Sequence, residues 1–325
     1  MKKRLFSALC AGVIMLTALS GCGEKTQDTT TVRVASLKGP TTLGLVNLMK
    51  KSDEGEASGK YEFTMKTQPD EILAMMVSGD VDIALVPANV ASVLYNKTEG
   101  GISLVDINTL GVLYCVTGDE SIKSIADFAG KTVITTGQGA TPEYAINYLL
   151  DKNGITDCTL EFKSEATEIA AVLMEDPTKI AVLPQPFATV AKLQNESLNT
   201  AFSLTDEWEK VSDDSQLITG VTIVRNDFLS GHEKEVENFL SEHVESADKA
   251  TSDIQGTAEL TAEYGIIEKA KVAELAIPEC YIVCIKGEDA KNALSGYLET
   301  LFDANPKSVG GALPEESFYD FTVSK

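Results

Sequence analysis

The sequence predicts an α/β protein made of two lobes, each a parallel sheet with helices on both faces, and three observations carry that reading. Runs rich in β-branched residues alternate with helical patterns, separated by short turns of Gly, Pro and hydroxyl residues. Several of the strand runs are long and apolar, as strands covered on both faces are. Two such series are separated by an extended stretch, and a chain of 325 residues has room for two ordinary domains.

In order along the chain, residues 31–36 read as a strand with Val32 and Val34 on one face. A turn over 37–42 and a helix over 43–51 follow, then a charged loop over 53–60. Tyr61, Phe63 and Met65 alternate with polar residues as a second strand. Pro69 opens a helix that sends Ile72, Leu73, Met76 and Val77 to the core and stops at Gly79. Residues 80–86 form the third strand, Pro87-Ala88-Asn89 its turn, and a helix runs on to Asn96. Residues 107–116 leave the first sheet as an extended connection. The second series pairs strand 131–135 with helix 142–153, strand 159–162 with helix 166–175, and strand 180–183 with helix 187–195. Residues 201–204 are an edge strand, and 216–224, interrupted by Gly220, form the return crossing. The remainder is mainly helical, over about 233–252, 257–264, 267–275 and 289–302.

The stretch 127–150 organises the second series. Lys131-Thr132-Val133-Ile134-Thr135 is a strand, and Thr136-Gly137-Gln138-Gly139-Ala140-Thr141 supplies backbone freedom and hydroxyls. Pro142 suits the first helical position, with Thr141 as the N-cap. Such a turn aims free N–H groups and the positive end of a helix dipole at whatever lies in front of it. It holds no nucleophile with a base and no metal ligand. It is a binding corner, not a catalytic one.

The first 21 residues read as a secretory leader: Lys2-Lys3-Arg4, an apolar run over 5–19, and then Leu19-Ser20-Gly21-Cys22. The run is shorter than the ~20 residues needed to span a bilayer. Cys22 at the cut resembles the cysteine of a bacterial lipobox, which implies cleavage before Cys22 and lipid on its sulfur. Residues 22–31 would then be a polar, lipidated tether. Cleavage leaves 304 residues and, with three cations removed, takes the formal charge from −22 to −25. So acidic a body is repelled by nucleic acid and by anionic lipid, so neither is expected as a partner.

Of six cysteines, Cys10 leaves with the leader and Cys22 is the lipid site. Cys115, Cys158, Cys280 and Cys284 are read as free and buried. On one strand, Cys280 and Cys284 would lie about 13 Å apart, too far for a disulfide; a bridge over longer range stays open. His232 and His243 are eleven residues apart, three helical turns along one face, too far to share a metal. No cysteine or carboxylate cluster in the sequence completes a metal site, so both are expected on a solvated face.

The chain resembles the extracytoplasmic substrate-binding proteins of ABC importers for nitrate, alkanesulfonates and thiamine-precursor pyrimidines. The resemblance rests on the lipobox, on Gly79-Asp80-Val81-Asp82-Ile83-Ala84, on Ser124-Ile125-Ala126-Asp127-Phe128-Ala129-Gly130-Lys131, and on Ala181-Val182-Leu183 running into Pro184-Gln185-Pro186. Gln185 stands where that family often has Glu or Asp, which leaves the charge of the ligand open. The resemblance implies a type II periplasmic-binding-protein-like fold with two crossover hinge strands. Lobe 1 would be 32–113 with 221–325, and lobe 2 would be 114–220.

Ligands of parallel α/β sheets sit outside the carboxyl ends of the strands. That places candidate ligand contacts at Ser36, Lys38, Gly39, Thr41 and Thr42, and at Asn89. From the second lobe come Gly137, Gln138, Gly139 and Thr141, then Gln185 and Phe187. Lys38 either pairs with an anionic group or is a surface lysine. Asn89 and Gln138 either read a heterocycle or sulfonate, or cap helices. Phe187 and Tyr114 are candidates for stacking, with Tyr114 favoured as hinge packing, and Trp208 is read as packed under a loop. Gly220 is ascribed to backbone freedom at the hinge.

The expected role is that of a lipid-anchored, monomeric receptor on the outer face of the cell membrane, without enzymatic activity, cofactor or metal. It would capture a small polar or heterocyclic solute, with a lean to a thiamine-type pyrimidine, and deliver it to an ABC permease with its cytoplasmic ATPase. The alternatives are a nitrate- or sulfonate-type anion receptor, an enzyme on the same fold (dehydratase or pyrimidine synthase-like), and a ligand sensor.

Overall fold

Two sheets carry the structure, a computed structural model that describes residues 30–212 and 215–325. The leader and Cys22 lie outside the described residues. The first series is β1 (Thr31–Leu37), α1 (Pro40–Leu43), α2 (Val46–Asp53), β2 (Lys60–Lys66), α3 (Pro69–Ser78), β3 (Ile83–Pro87), α4 (Ala88–Lys97) and β4 (Ile102–Leu110). The chain then crosses to β5 (Leu113–Thr117), β6 (Thr132–Thr135), α5 (Thr141–Lys152), β7 (Thr159–Phe162), α6 (Ala166–Glu175), β8 (Ile180–Pro184), α7 (Phe187–Gln194), β9 (Asn199–Ser203) and α8 (Leu204–Glu209). It returns through β10 (Ile218–Arg225) to α9 (Asn226–Ser252), α10 (Ile254–Glu263), α11 (Ala270–Ala276), β11 (Ile282–Ile285), α12 (Gly287–Ala304) and α13 (Asp320–Val323).

The first sheet has the order β11-β4-β10-β3-β1-β2 and the second β7-β6-β8-β5-β9. Pairing is parallel where helices join successive strands, as in β2-β1-β3 and β7-β6-β8. It is antiparallel where the chain passes between sheets, through β4, β5 and β10. A parallel strand needs a crossover helix, whereas a strand arriving from the other lobe can pair in either sense.

Helix α3 shows how local sequence sets an element. Pro69 lies in its first turn, where a missing N–H leaves no bond unmade, and Gly79 ends it in the left-handed region at φ 77°. Ile72, Leu73 and Met76 are buried; a fully buried side chain such as Ile72 contributes about 1.5–3 kcal/mol. Val77, expected in the core, is 56% exposed. It lies roughly 90° around the helix from the centre of that apolar stripe.

Asp82, at the end of β3 remote from the cleft, ties three strands together. Its carboxylate accepts bonds from Arg33 N (3.0 Å), Nε (2.9 Å) and Nη2 (2.5 Å), and from Arg225 Nη2 (3.0 Å). Arg33 belongs to β1 and Arg225 to β10, so the pair of guanidiniums clasps the returning strand onto the first.

The apolar core runs without a break from one sheet to the other. Trp208 on α8 is fully buried, not merely tucked under a loop. Its ring lies 4.1 Å from that of Tyr148 on α5 and 5.8 Å from that of Tyr297 on α12. Its Nε1 donates to Ser215 Oγ at 3.0 Å.

Candidate ligand-binding cleft

Because β1 pairs with β3, and β6 with β8, the turns that follow them lie side by side at the carboxyl edge of each sheet. The two edges meet: Thr141 Oγ1, at the start of α5, is 3.4 Å from Asn89 Oδ1, at the start of α4. Asn89 Nδ2 donates to the Ser308 carbonyl at 3.3 Å. Sequence-predicted residues from both lobes are thus in contact.

On the β1 turn the hydroxyls are committed locally. Thr42 Oγ1 bonds Ser36 Oγ (2.9 Å) and the Leu37 carbonyl (2.7 Å), and Thr41 Oγ1 donates to the same carbonyl at 2.9 Å. Ser36, Thr41 and Thr42 are buried, and Gly39 precedes α1 as its N-cap at φ 142°. Lys38 is exposed, with no ion pair among the described residues.

On the β6 turn, Gly137 and Gly139 both take φ 74°, a region that costs other residues strain. Gln138 is exposed. Thr141 is the first helical residue of α5 and Ala140 its N-cap, so the expected capping role of Thr141 gives way to the contact with Asn89. Glu143 reaches back to accept the Gly139 N–H at 2.5 Å. A carboxylate therefore already occupies a donor of the corner that an anionic ligand would use.

On the β8 turn, Gln185 is 1% exposed. Its Oε1 accepts from Thr189 Oγ1 (2.9 Å) and Thr189 N (3.3 Å), while its Nε2 is buried with no partner. A buried amide donor without an acceptor costs about 1–3 kcal/mol. Phe187 is half-buried beside it, against the second lobe's core.

At the crossings, Tyr114 is buried on β5, and its hydroxyl donates to the Glu279 carbonyl at 2.8 Å, joining the second sheet to the segment after α11. Gly220 lies within β10 and takes no positive φ. A Cβ there would stand 2.5 Å from both Asn108 Oδ1 and Thr41 Cγ2. Close packing of the β1 turn against the crossing, and not backbone freedom, is what requires this glycine. Gly220→Ala is expected to cost about 1–3 kcal/mol and to displace the β1 turn, read as a lower urea midpoint and weaker ligand binding. Gly111, which the sequence did not single out, has the same need: a Cβ would lie 2.1 Å from Thr205 Oγ1 and 2.9 Å from Leu217. The two crossings touch at this point.

The histidines depart from expectation. His232 is half-buried, stacked on Phe228 at 4.4 Å, and His243 is fully buried beside Asp106 and Cys284. The four described cysteines are free, as read, but Cys158 and Cys284 are only partly buried. Burial pushes the Cys115, Cys280 and Cys284 thiols well up, so none is an activated thiolate.

Both arginines of the described residues, Arg33 and Arg225, are spent on Asp82. A groove of about 700 Å3, whose lining includes Glu209, Ser212, Gln216, Asp289 and Asn292, opens beside α12 and away from these turns.

The architecture is that of the bilobal binding proteins: two α/β sheets, a double crossing and apposed strand ends. A solved structure described as an ABC transporter from Parabacteroides distasonis is 24% identical, with a TM-score of 0.76 over 89% of this chain and 98% of its own. The alkanesulfonate-binding protein SsuA from Xanthomonas axonopodis pv. citri, bound to MOPS, is 13% identical with a TM-score of 0.64 over 89% and 96%. The nitrate-binding protein NrtA from Synechocystis PCC 6803 is 14% identical with a TM-score of 0.55 over 78% and 69%. These likenesses establish the fold. No curated protein matches the chain. Residues 57–254 match the model of the family described as NMT1/THI5 like, and the chain belongs to that family.

Proposed function

We propose that the protein is the extracytoplasmic solute receptor of an ABC importer, binding a small, uncharged or heterocyclic solute between its lobes. The carrying observation is the unpartnered Nε2 of Gln185, buried at the end of β8. It asks for a hydrogen-bond acceptor that the protein does not supply. The ligand would be met by Gln185, Phe187 and the 136–141 turn on one side and by Lys38 and Asn89 on the other. Lobe 1 would comprise 32–113 and 221–325 and lobe 2 114–220, with lipid on Cys22 holding the body at the membrane. The neighbours described as sulfonate- and nitrate-binding proteins and as an ABC transporter support the receptor role.

The anion alternative is disfavoured. Glu143 holds the Gly139 N–H, neither arginine is free, and the chain carries a formal charge of −22. A tight oxyanion site ordinarily uses Arg. The thiamine-type pyrimidine fits better, because its ring nitrogens accept hydrogen bonds. The groove beside α12 is not the preferred site, since Glu209 and Asp289 line it without a buried donor that lacks a partner.

A thermal-shift screen tests the reading, with thiamine and its pyrimidines, riboflavin, taurine and other sulfonates, nitrate, bicarbonate and amino acids. A ligand at 100 times its dissociation constant stabilises by ~2.7 kcal/mol, and a heterocycle is the expected hit. Trp208 provides a second readout, as the only tryptophan and at the meeting of α5, α8 and α12. Its emission is expected to shift in step with the thermal signal as the lobes adjust. A hit on nitrate or a sulfonate would overturn the uncharged-ligand reading.

A further inference from the structure

Three side chains from three elements packed at the first sheet converge: Asp106 of β4, His243 of α9 and Cys284 of β11. His243 Nδ1 is 3.0 Å from Asp106 Oδ2 and 3.9 Å from Cys284 Sγ. The three donor atoms all lie within 4.8 Å of one another. Asp106 and His243 are fully buried and Cys284 partly so. Among the described residues the Asp106 carboxylate meets no Lys or Arg; the Thr222 hydroxyl and the His243 ring bond it. A carboxylate in such a place needs a counter-charge.

We propose that Asp106, His243 and Cys284 form a site for a divalent cation of the zinc class, stapling the edge strand β11 and α9 to its neighbour β4. Three arguments support it. One carboxylate, one thiolate and one neutral imidazole balance a doubly charged ion. Mixed oxygen, nitrogen and sulfur donors are a set that zinc accepts. The two separations made by His243 Nδ1 also fit one ion: with metal–ligand bonds of about 2.0–2.3 Å they correspond to angles of roughly 95° and 125° at the ion, either side of tetrahedral.

The surroundings orient the Asp106 carboxylate, while the other ring nitrogen of His243, Nε2, is buried without a partner. Thr222 Oγ1 donates to the other Asp106 oxygen at 2.7 Å and is itself fixed by Asn108 Nδ2 at 3.1 Å. Partners of this kind hold a ligating carboxylate in position. The partial exposure of Cys284 gives the ion a way in and leaves its fourth position to water. The site has a structural task, because β11 spans four residues and pairs with β4 in broken register.

The rival is a hydrogen-bonded His–Asp pair beside a protonated thiol, with no ion. Cobalt(II) separates the two, since a tetrahedral cobalt–thiolate site absorbs strongly in the near ultraviolet and visible. The experiment uses the untagged full chain, stripped with chelator. One equivalent of cobalt is expected to bring up the bands, zinc to displace it, and either ion to raise Tm by several degrees. Cys284→Ser should abolish the thiolate band and Cys115→Ser keep it. Thr222→Val should weaken cobalt binding about 10- to 100-fold. Folded wild-type protein that shows neither band nor Tm shift, or a thiolate band that survives Cys284→Ser, would overturn the proposal.

Discussion

Asp82→Ala is expected to lower stability by about 3 kcal/mol, chiefly by freeing β10 from β1 and β3. The carboxylate is 1% exposed and accepts from Arg33 and Arg225 together. Removing it leaves two like-charged guanidiniums facing each other and the Arg33 backbone N–H without its bond. Breaking a buried ion pair by deleting one partner costs about 3–5 kcal/mol. The lower end applies here because the Arg33 side chain is 39% exposed and the Arg225 side chain 18%, so both rehydrate in part. Urea unfolding should show the midpoint fall with little change in slope. A loss below about 1 kcal/mol would mean that the clasp is no stronger than a surface pair.

The same substitution has a pH signature. Burial works to raise the Asp82 carboxyl, but hydrogen bonds from the Arg33 side chain and backbone and from Arg225 outweigh it and hold it below the usual carboxylate range. A folded-state value below the unfolded one makes the contribution full above the unfolded value of about 3.9. It is lost as the pH falls through the folded value. The stability gap between wild type and Asp82→Ala should therefore be constant from neutral pH down to about pH 5 and narrow below about pH 4. Glu242 steepens the wild-type acid limb. Its burial is likewise outweighed by bonds from Ser58 N, Lys51, Tyr61 and Gly59 N, and it remains in the variant.

The clasp also bears on the ligand. It consumes both arginines of the described residues at the end of β3 remote from the turns, and on the proposed reading the cleft then offers Lys38, amides and hydroxyls.

Strands and helices were legible where local chemistry decides them. Thr132-Val133-Ile134-Thr135 became β6, and 166–175 and 159–162 came out with the expected bounds. What escaped depends on residues distant in sequence. The separation of His232 and His243 along one helix says nothing of Asp106 and Cys284, which arrive from β4 and β11. Gly220 reads as a hinge from its setting in a β-rich run, yet Thr41 and Asn108 press on it. Glu143 was within reach of sequence reasoning, as an acidic residue four positions after Gly139 in the first turn of a helix. Burial of Trp208 was not, because its neighbours in 206–209 are acidic and its partners Tyr148 and Tyr297 lie on other elements.

Gln185→Met is expected to weaken ligand binding by about 30- to 100-fold while the fold survives. Met matches the length of the side chain and removes only the amide. The Thr189 hydroxyl and N–H lose their acceptor, at about 1–3 kcal/mol each, while removal of the unpartnered Nε2 offsets about one such cost, so Tm should fall by a few degrees. A buried hydrogen bond between Nε2 and a ligand acceptor is worth about 2–3 kcal/mol once its loss strands the ligand's polar atom, which sets the larger effect on Kd. Gln185→Glu then identifies the ligand's partner atom. Glu preserves the acceptor that Thr189 uses and replaces the donor with a carboxyl oxygen. Against a ring nitrogen or carbonyl at neutral to mildly alkaline pH, Glu should bind more weakly than Met, because two acceptors face each other. Against a cationic group, Glu should equal or exceed wild type. Isothermal titration with the solute from the thermal-shift screen reads both variants on one scale. If neither changes the affinity, Gln185 does not touch the ligand, and the groove lined by Glu209, Asp289 and Asn292 becomes the place to look, for a cation.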